Sequence, residues 1–246
     1  QNPAKKRGSE LPEHDESCPF CPGNEVQTPD EVLLLPENKT NADWEVRVVP
    51  NRFAALSPKG YLGRMEEGHL FRKMDGFGIH EVIIESPSHN TPVAMMPYQQ
   101  VEMILTAYHN RYNILKGNKD LRFITIFKNH GFASGTSLVH PHSQLVATPI
   151  ITPHYHQKFD IAHDYRATMG TCLYCDLLTD ELEKGERIVA ETDKFIISQP
   201  YASRVPFETW IIPKEHAASF GLISTSSLNE LAKVLKDILF CIYHEL

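Results

Sequence analysis

The chain has no apolar run approaching the roughly 18 residues that a bilayer span requires, and its N-terminal residues lack the charged-then-apolar pattern of a secretion signal. These absences lead to the expectation of a cytoplasmic protein with no membrane partner. Basic charge is also short: 24 Lys and Arg stand against 31 Asp and Glu, a net charge of -7. A nucleic-acid surface, which wants the opposite balance, is therefore not expected. A small anionic substrate remains compatible, because a local cluster of donors overrides the global charge. Cysteine is scarce at five residues, and four of the five sit in two pairs, Cys18-Pro19-Phe20-Cys21 and Cys172-Leu173-Tyr174-Cys175. Two-residue spacing suits thiolates sharing one tetrahedral ion better than a disulfide framework. A thioredoxin-like redox pair is the weaker reading, since Pro19 and Pro22-Gly23 make a turn rather than a helix start.

What is present is ordinary for a globular chain: 41% hydrophobic and 22% charged over 246 residues, enough for one large core or two smaller ones. Val32 to Leu35 is a short apolar run, and Trp44, Val46 and Val48 alternate with Glu45 and Arg47 as a half-buried strand should. The residues from Ser57 to Phe77, with scattered Gly and charge, read as a loop or excursion. His80 to Glu85 is a second strand, closed by Ser86-Pro87-Ser88-His89. From Pro97 the period changes. Val101, Ile104, Leu105, Tyr108, Tyr112 and Leu115 fall three or four apart up to Gly117, which predicts a helix. Two further strands follow, the second running from Leu138 to Thr148.

The second half echoes the first. Cys172 and Cys175 repeat the first pair, Phe195-Ile196-Ile197 repeats the Val46 to Val49 strand, and Glu208 to His216 matches Glu81 to His89 in length. Ser227-Leu228-Asn229-Glu230 reads as a capping box opening a helix with Leu231, Leu235, Ile238 and Ile242 on one stripe. The expectation is an α+β fold of two repeats, residues 1–150 and 151–246, each an antiparallel sheet with helices packed on it. The second repeat is C-terminally truncated relative to the first, so the natural polypeptide is expected to be longer.

The chemistry concentrates at residues 128–144. On a strand, His140, His142 and Gln144 share one face at steps of about 7 Å, and Pro141 keeps His140 extended. Cys18, Cys21, His89 and His140 make a Cys₂His₂ set suited to four-coordinate zinc. A solvated His89 is the plainer alternative. Cys172, Cys175 and His216 form a second candidate metal set with three ligands and no obvious fourth. All four paired cysteines on one ion is a further arrangement, which would leave His89 and His140 unexplained. With His140 on metal, His142 is the free imidazole, able to attack phosphorus without a separate base. Asn129, the Ser137 hydroxyl and the backbone amides of residues 131–137 could hold phosphate oxygens, and Gln144 could donate to a phosphoryl oxygen. A purely structural His-Pro-His remains the alternative. His154-Tyr155-His156 reads as part of a Pro-rich, solvated loop.

The segment His140-Pro141-His142-Ser143-Gln144, preceded by Asn129, Gly131, Gly135 and Ser137, resembles the active-site segment of the galactose-1-phosphate uridylyltransferase family, in the histidine-triad superfamily. The resemblance extends to Cys18 and Cys21, to Asn51-Arg52-Phe53, to Ser86-Pro87-Ser88-His89, and to Pro206-Phe207-Glu208 with Trp210, Lys214 and His216. It implies two histidine-triad repeats, usually dimeric, with zinc on Cys18, Cys21, His89 and His140. It also implies UDP-glucose and hexose 1-phosphate as substrates. His142 would take UMP from UDP-glucose, release glucose 1-phosphate and pass UMP to galactose 1-phosphate in ping-pong fashion. Gln144 would support the phosphoryl group, Asn129 and Ser137 the phosphates, Asn51 the nucleoside, and the His140 carbonyl would orient the His142 ring. Arg52 departs from the acidic residue of the uridylyl enzymes. The family's N-terminal strand with its phosphate-binding Arg is not found before Gln1, nor its C-terminal hexose-phosphate part after Leu246. An ADP-sugar phosphorylase or nucleotide hydrolase of the same superfamily is the neighbouring reading. A zinc-stabilised binding module without turnover is the one from a different class.

Overall fold

A computed structural model describes residues 11–37 and 43–245. They divide at residues 150 and 151 into two compact units. The first unit is built on a five-stranded antiparallel sheet of order β1-β2-β5-β7-β6. Its strands are β1 (Leu33–Leu35), β2 (Val46–Pro50), β5 (Ile79–Ile84), β6 (Phe123–Phe127) and β7 (His142–Thr148). Helix α1 (Tyr98–Lys116) packs on one face, and the expected stripe supplies its buried residues Val101, Ile104, Leu105 and Leu115. The Gln100 amide ties the start of α1 to the sheet, donating to the carbonyls of Glu45 at 2.9 Å and Glu85 at 2.7 Å. The other face is covered in part by Cys18, Phe20, Cys21 and Trp44, which pack on Val49, Val82 and Ile84.

That second layer corrects the reading of β2. Residues Val46, Arg47, Val48 and Val49 are all buried rather than alternating. The Arg47 guanidinium lies 5.5 Å over the Trp44 ring and donates to the Thr28 hydroxyl at 3.1 Å. Residues 57–77 hold more than a loop: β3 (Met65–Glu67) and β4 (Phe71–Lys73) form a hairpin, turned at Gly68 with φ +70°. The His-bearing strand also begins later than expected, at His142. Pro141 has no N–H for the ladder, so only its carbonyl pairs, with Glu85 N–H at 3.1 Å. His140 therefore lies before the strand and not on its face. Along β7, Ser143, Leu145 and Ala147 are buried, while His142, Gln144 and Val146 are half-buried on the opposite face.

The second unit carries helices α2 (Pro153–Met169) and α3 (Leu173–Lys184). A three-stranded antiparallel sheet follows, β8 (Ile188–Glu191), β9 (Phe195–Ser198) and β10 (Trp210–Pro213), in the order β10-β9-β8. Its antiparallel pairs are β8 with β9 and β9 with β10, as β1 pairs with β2 and β2 with β5. Phe195, Ile197 and Ile211 pack on Leu231, Val234 and Ile238 of α4 (Thr225–Glu245). Helix α4 opens earlier than the sequence indicated. The Ser224 hydroxyl caps it by accepting from Ser227 N–H at 3.1 Å. Glu230 instead accepts from Lys194 N–H at 2.9 Å, tying α4 to the β8–β9 turn. His154 and His156 are helical rather than in a loop, because Pro153 starts α2 at a position that Pro favours. No helix among the described residues is long and apolar enough to cross a membrane.

Candidate functional site

The turn at Cys18 to Cys21 is held by backbone and side-chain bonds before any ion is considered. Cys21 N–H donates to the Cys18 carbonyl at 3.2 Å, and the Asn24 amide donates to the same carbonyl at 2.8 Å. Its two sulfurs meet His89, from the loop after β5, and His140, just before β7. The four ligand atoms all lie within 4.8 Å of one another, and all four residues are buried. His140 Nδ1 is 3.5 Å from Cys21 Sγ and 3.8 Å from Cys18 Sγ, and His89 Nδ1 is 3.4 Å from Cys21 Sγ. His140 Nε2–H donates to the Ser86 carbonyl at 2.8 Å, which leaves Nδ1 as the electron-pair donor turned to the sulfurs.

The donor set fits a metal. Burial pushes the Cys18 thiol up to about 11 and the His140 imidazole down to about 4, so both are neutral without a cation between them. Two buried sulfurs and two buried imidazole nitrogens at this spacing match the chemistry of tetrahedral thiolate–imidazole binding. In the second unit, Cys172, Cys175 and His216 also converge within 4.8 Å, but Cys172 and Cys175 are half-buried and His216 is exposed. Cys175 Sγ lies 3.1 Å from His216 Nδ1. Cys172 precedes the first turn of α3, and the Cys175 N–H there is the main influence lowering its thiol pKa.

His142 is joined to this cluster twice. Its Nδ1–H donates to the His140 carbonyl at 2.8 Å, so the basic ring atom is Nε2. The Phe20 ring, inside the Cys pair, stands edge-on to it at 5.4 Å between centroids. Burial lowers the basicity of His142, the His140 carbonyl opposes that, and the Lys128 charge lowers it further. Gln144 lies two residues along the same face. Its Oε1 accepts from His80 Nε2–H at 2.8 Å. Asn51, at the end of β2, has its amide nitrogen 3.1 Å from the same His80 nitrogen. Asn129 and Ser137 are exposed, in the connection between β6 and β7. That connection turns at Gly131 and Gly135, both at φ +80°, where a side chain would be strained.

The sequence reading missed His80, and it missed the group buried beneath the site. Glu85 is fully buried and accepts from Lys128 Nζ, the Ser143 hydroxyl and Tyr108 OH, the last at 3.0 Å. Lys128 also donates to the His142 carbonyl at 3.1 Å. A carboxylate at the end of an apolar strand, one position before Ser-Pro, was the available signal.

Fold and site together define an α+β protein whose sheet carries a buried Cys₂His₂ set beside a half-buried histidine with a fixed tautomer. Residues 2–152 match the family model described as galactose-1-phosphate uridyl transferase, N-terminal domain, and residues 157–243 match the corresponding C-terminal domain. The chain belongs to this family. It is 33% identical over 224 residues to an ADP-glucose phosphorylase of Arabidopsis thaliana, covering 91% of this chain and 62% of that protein. It is 31% identical over 221 residues to a galactose-1-phosphate uridylyltransferase of Thermotoga maritima, covering 90% of this chain and 65% of that one. The chain thus spans less than two thirds of the length of these curated relatives. Among solved structures, a galt-like protein from Arabidopsis thaliana superposes with a TM-score of 0.81 at 32% identity, over 96% of this chain and 73% of that one. An Arabidopsis ADP-glucose phosphorylase with bound ADP-glucose gives 0.78 at 29% identity, over 95% and 71%.

Proposed function

We propose that this chain is a nucleotidyltransferase that moves UMP from UDP-glucose to galactose 1-phosphate through a nucleotidyl-His142 intermediate. The observation that carries the reading is the His142 ring. Its Nδ1–H is committed to the His140 carbonyl, so the Nε2 lone pair is the one that faces substrate. In the first step Nε2 forms a bond to the α-phosphorus, the bond to the leaving glucose 1-phosphate breaks, and that phosphate takes the electron pair. In the second step a phosphate oxygen of galactose 1-phosphate attacks the same phosphorus and His142 leaves with its lone pair restored. Gln144 donates to a phosphoryl oxygen, Asn129 and Ser137 serve the remaining phosphate oxygens, and Asn51 meets the nucleoside.

Cys18, Cys21, His89 and His140 are the ligands of a structural zinc, whose contribution when bound is to pin the Cys turn and His140 to the sheet. The His140 carbonyl and Phe20 then aim His142. Cys172, Cys175 and His216 are a second metal set. The order β8-β9-β10 matches β1-β2-β5, which supports residues 1–150 and 151–246 as two histidine-triad repeats, the second incomplete. A cytoplasmic homodimer is the assembly that the family resemblance favours, checked by sedimentation.

A second donor is favoured by particular observations. The Arabidopsis relative at 33% identity is named ADP-glucose phosphorylase. Arg52 is exposed beside Asn51 and donates to the Gln27 carbonyl at 3.2 Å, where an acidic residue was expected. On this reading the intermediate carries AMP, and inorganic phosphate as acceptor gives ADP.

The test is to incubate the metal-loaded chain with UDP-glucose or ADP-glucose labelled at the α-phosphate, then isolate the protein. Acid-labile label from UDP-glucose, lost in His142→Asn, is expected. Label from ADP-glucose alone selects the second donor. Label from neither overturns both.

A further inference from the structure

His80 is in no set of residues assigned so far, yet it touches two of them. It sits on β5 opposite Val146 of β7, and Val82 two residues on sits opposite Gln144. His80 and Gln144 are thus diagonal neighbours on the face that carries His142. On its other side β2 ends at Pro50, paired with Glu81, and Asn51 N–H donates to the His80 carbonyl at 2.8 Å. The ring therefore stands between the last residue of one strand crossing and the middle of another.

The hydrogen bonds fix where its proton is. Ala55 N–H donates to His80 Nδ1 at 3.2 Å, so Nδ1 is the acceptor and the proton is on Nε2. Nε2–H donates to Gln144 Oε1 at 2.8 Å. A Gln amide has one oxygen and one NH₂. With the oxygen taken by His80, the NH₂ is the end turned to a ligand. Asn51 is constrained similarly. Its Oδ1 accepts from Phe53 N–H at 2.9 Å, so its NH₂ is the end 3.1 Å from His80 Nε2. Two N–H groups that meet there do not bond each other, so the Asn51 hydrogens remain for an acceptor oxygen.

We propose that His80 is a positioning residue that fixes the Gln144 amide with its NH₂ end toward an anionic, oxygen-rich ligand, the sugar nucleotide of the reaction proposed above. A neutral imidazole does this without adding a charge. The proposal rests on the nucleotidyl-transfer reading for its catalytic consequence and on hydrogen-bond geometry alone for the clamp.

Two measurements test it. Side-chain nitrogen NMR of the metal-loaded chain should show the His80 proton on Nε2, and removing Gln144 should shift that nitrogen. A proton on Nδ1, or an Nε2 signal indifferent to Gln144→Ala, overturns the clamp whether or not the protein turns over. Single-turnover labelling then reads the consequence. Gln144→Ala should slow intermediate formation by about 100-fold, the order seen when one donor to developing charge is lost, and His80→Ala by roughly tenfold. His80→Ala added to Gln144→Ala should cost nothing more, because the amide it orients is gone. His80→Gln, which returns an N–H near the Nε2 position, should recover most of the rate. Additive losses in the double variant, at equal metal content and thermal midpoint, overturn positioning in favour of a general structural role. A wild-type chain that takes no label overturns the catalytic consequence together with the transfer reading, and the nitrogen signals still decide the clamp.

Discussion

Glu85 shows how much a single residue can depend on its neighbours. Its carboxylate is 0% exposed and its partners are Lys128, Tyr108 and Ser143. Removing the cation alone leaves a buried, uncompensated charge, so Lys128→Met should destabilise the fold by about 3–5 kcal/mol. Glu85→Gln combined with Lys128→Met should cost clearly less than the Lys128 change alone, since the charge leaves with its partner. Urea midpoints of the two variants check the order. Tyr108, pushed well above its ordinary pKa by burial and then by the Glu85 charge, stays neutral in this network. An acid-side effect sits elsewhere, at Glu208. The Arg204 N–H first, then Trp210 Nε1–H and the Arg204 side chain, hold its carboxyl down to about 2 from an ordinary 4.5. A depressed folded-state value stabilises above the unfolded value and fades as protons are added. The contribution should therefore be complete above about 4.5 and lost as the pH falls toward about 2. Urea midpoints from pH 6 to pH 2 should fall less steeply in Glu208→Gln than in the parent. None of these partnerships was legible from spacing. The grouping of Cys18, Cys21, His89 and His140 was, because Cys and His are chemically distinctive and the structure gathers the four within 4.8 Å. Glu85, His80 and Tyr108 acquire their roles only from register and from which helix covers which face.

At the scale of elements, periodicity identified α1, β5, β6 and the helical stripe of α4, and it failed where two layers or one proline intervened. β2 looks half-buried because Arg47 and Glu45 are charged. A second layer built from Trp44 and the Cys turn buries Arg47 as well, and no local pattern announces a cover supplied from a distant segment. β7 loses its first residues to Pro141, whose missing N–H outweighs the apolar Leu138 and Val139. The capping box at Ser227 was displaced by a serine three positions earlier, while Glu230 served a backbone amide in another element. The seam between β5 and β7 also depends on a residue with no side chain. A Cβ on Gly78 would lie 2.4 Å from the Ala147 carbonyl oxygen and 2.8 Å from Leu56 Cδ1. The oxygen belongs to a strand paired on both sides and cannot yield cheaply. Gly78→Ala should therefore cost about 1–3 kcal/mol, read as a lowered urea midpoint with little change in slope. An unchanged midpoint would mean that β7 shifts freely at that end, against the ladder seen there.

Across the whole chain the two candidate metal sets differ in burial and donor number, and that difference predicts their behaviour. The first has four buried ligands, and one of them, His140, has its outer nitrogen anchored on a backbone carbonyl. The second has three ligands, one of them exposed. Affinity should follow closure, because a buried four-donor set excludes water while an open three-donor set exchanges with it. The chain as purified with zinc is expected to hold about two equivalents by elemental analysis, one for each set that the geometry gathers. Titration with a chelator should remove the second-unit metal first, with little change in the unfolding of the first unit and little loss of labelling at His142, which meets His140, Lys128 and Phe20 within residues 1–150. Removal of the other should lower the thermal midpoint and abolish labelling together, since structural metal binding is folding free energy and both orienting contacts to His142 come from the cluster. Cys172→Ser and Cys18→Ser should reproduce the two stages separately. Loss of label in Cys172→Ser, with the Cys18 set still loaded, would show that the second unit takes part in the transfer. The order of chelation thus measures whether the chemistry belongs to one unit or to both.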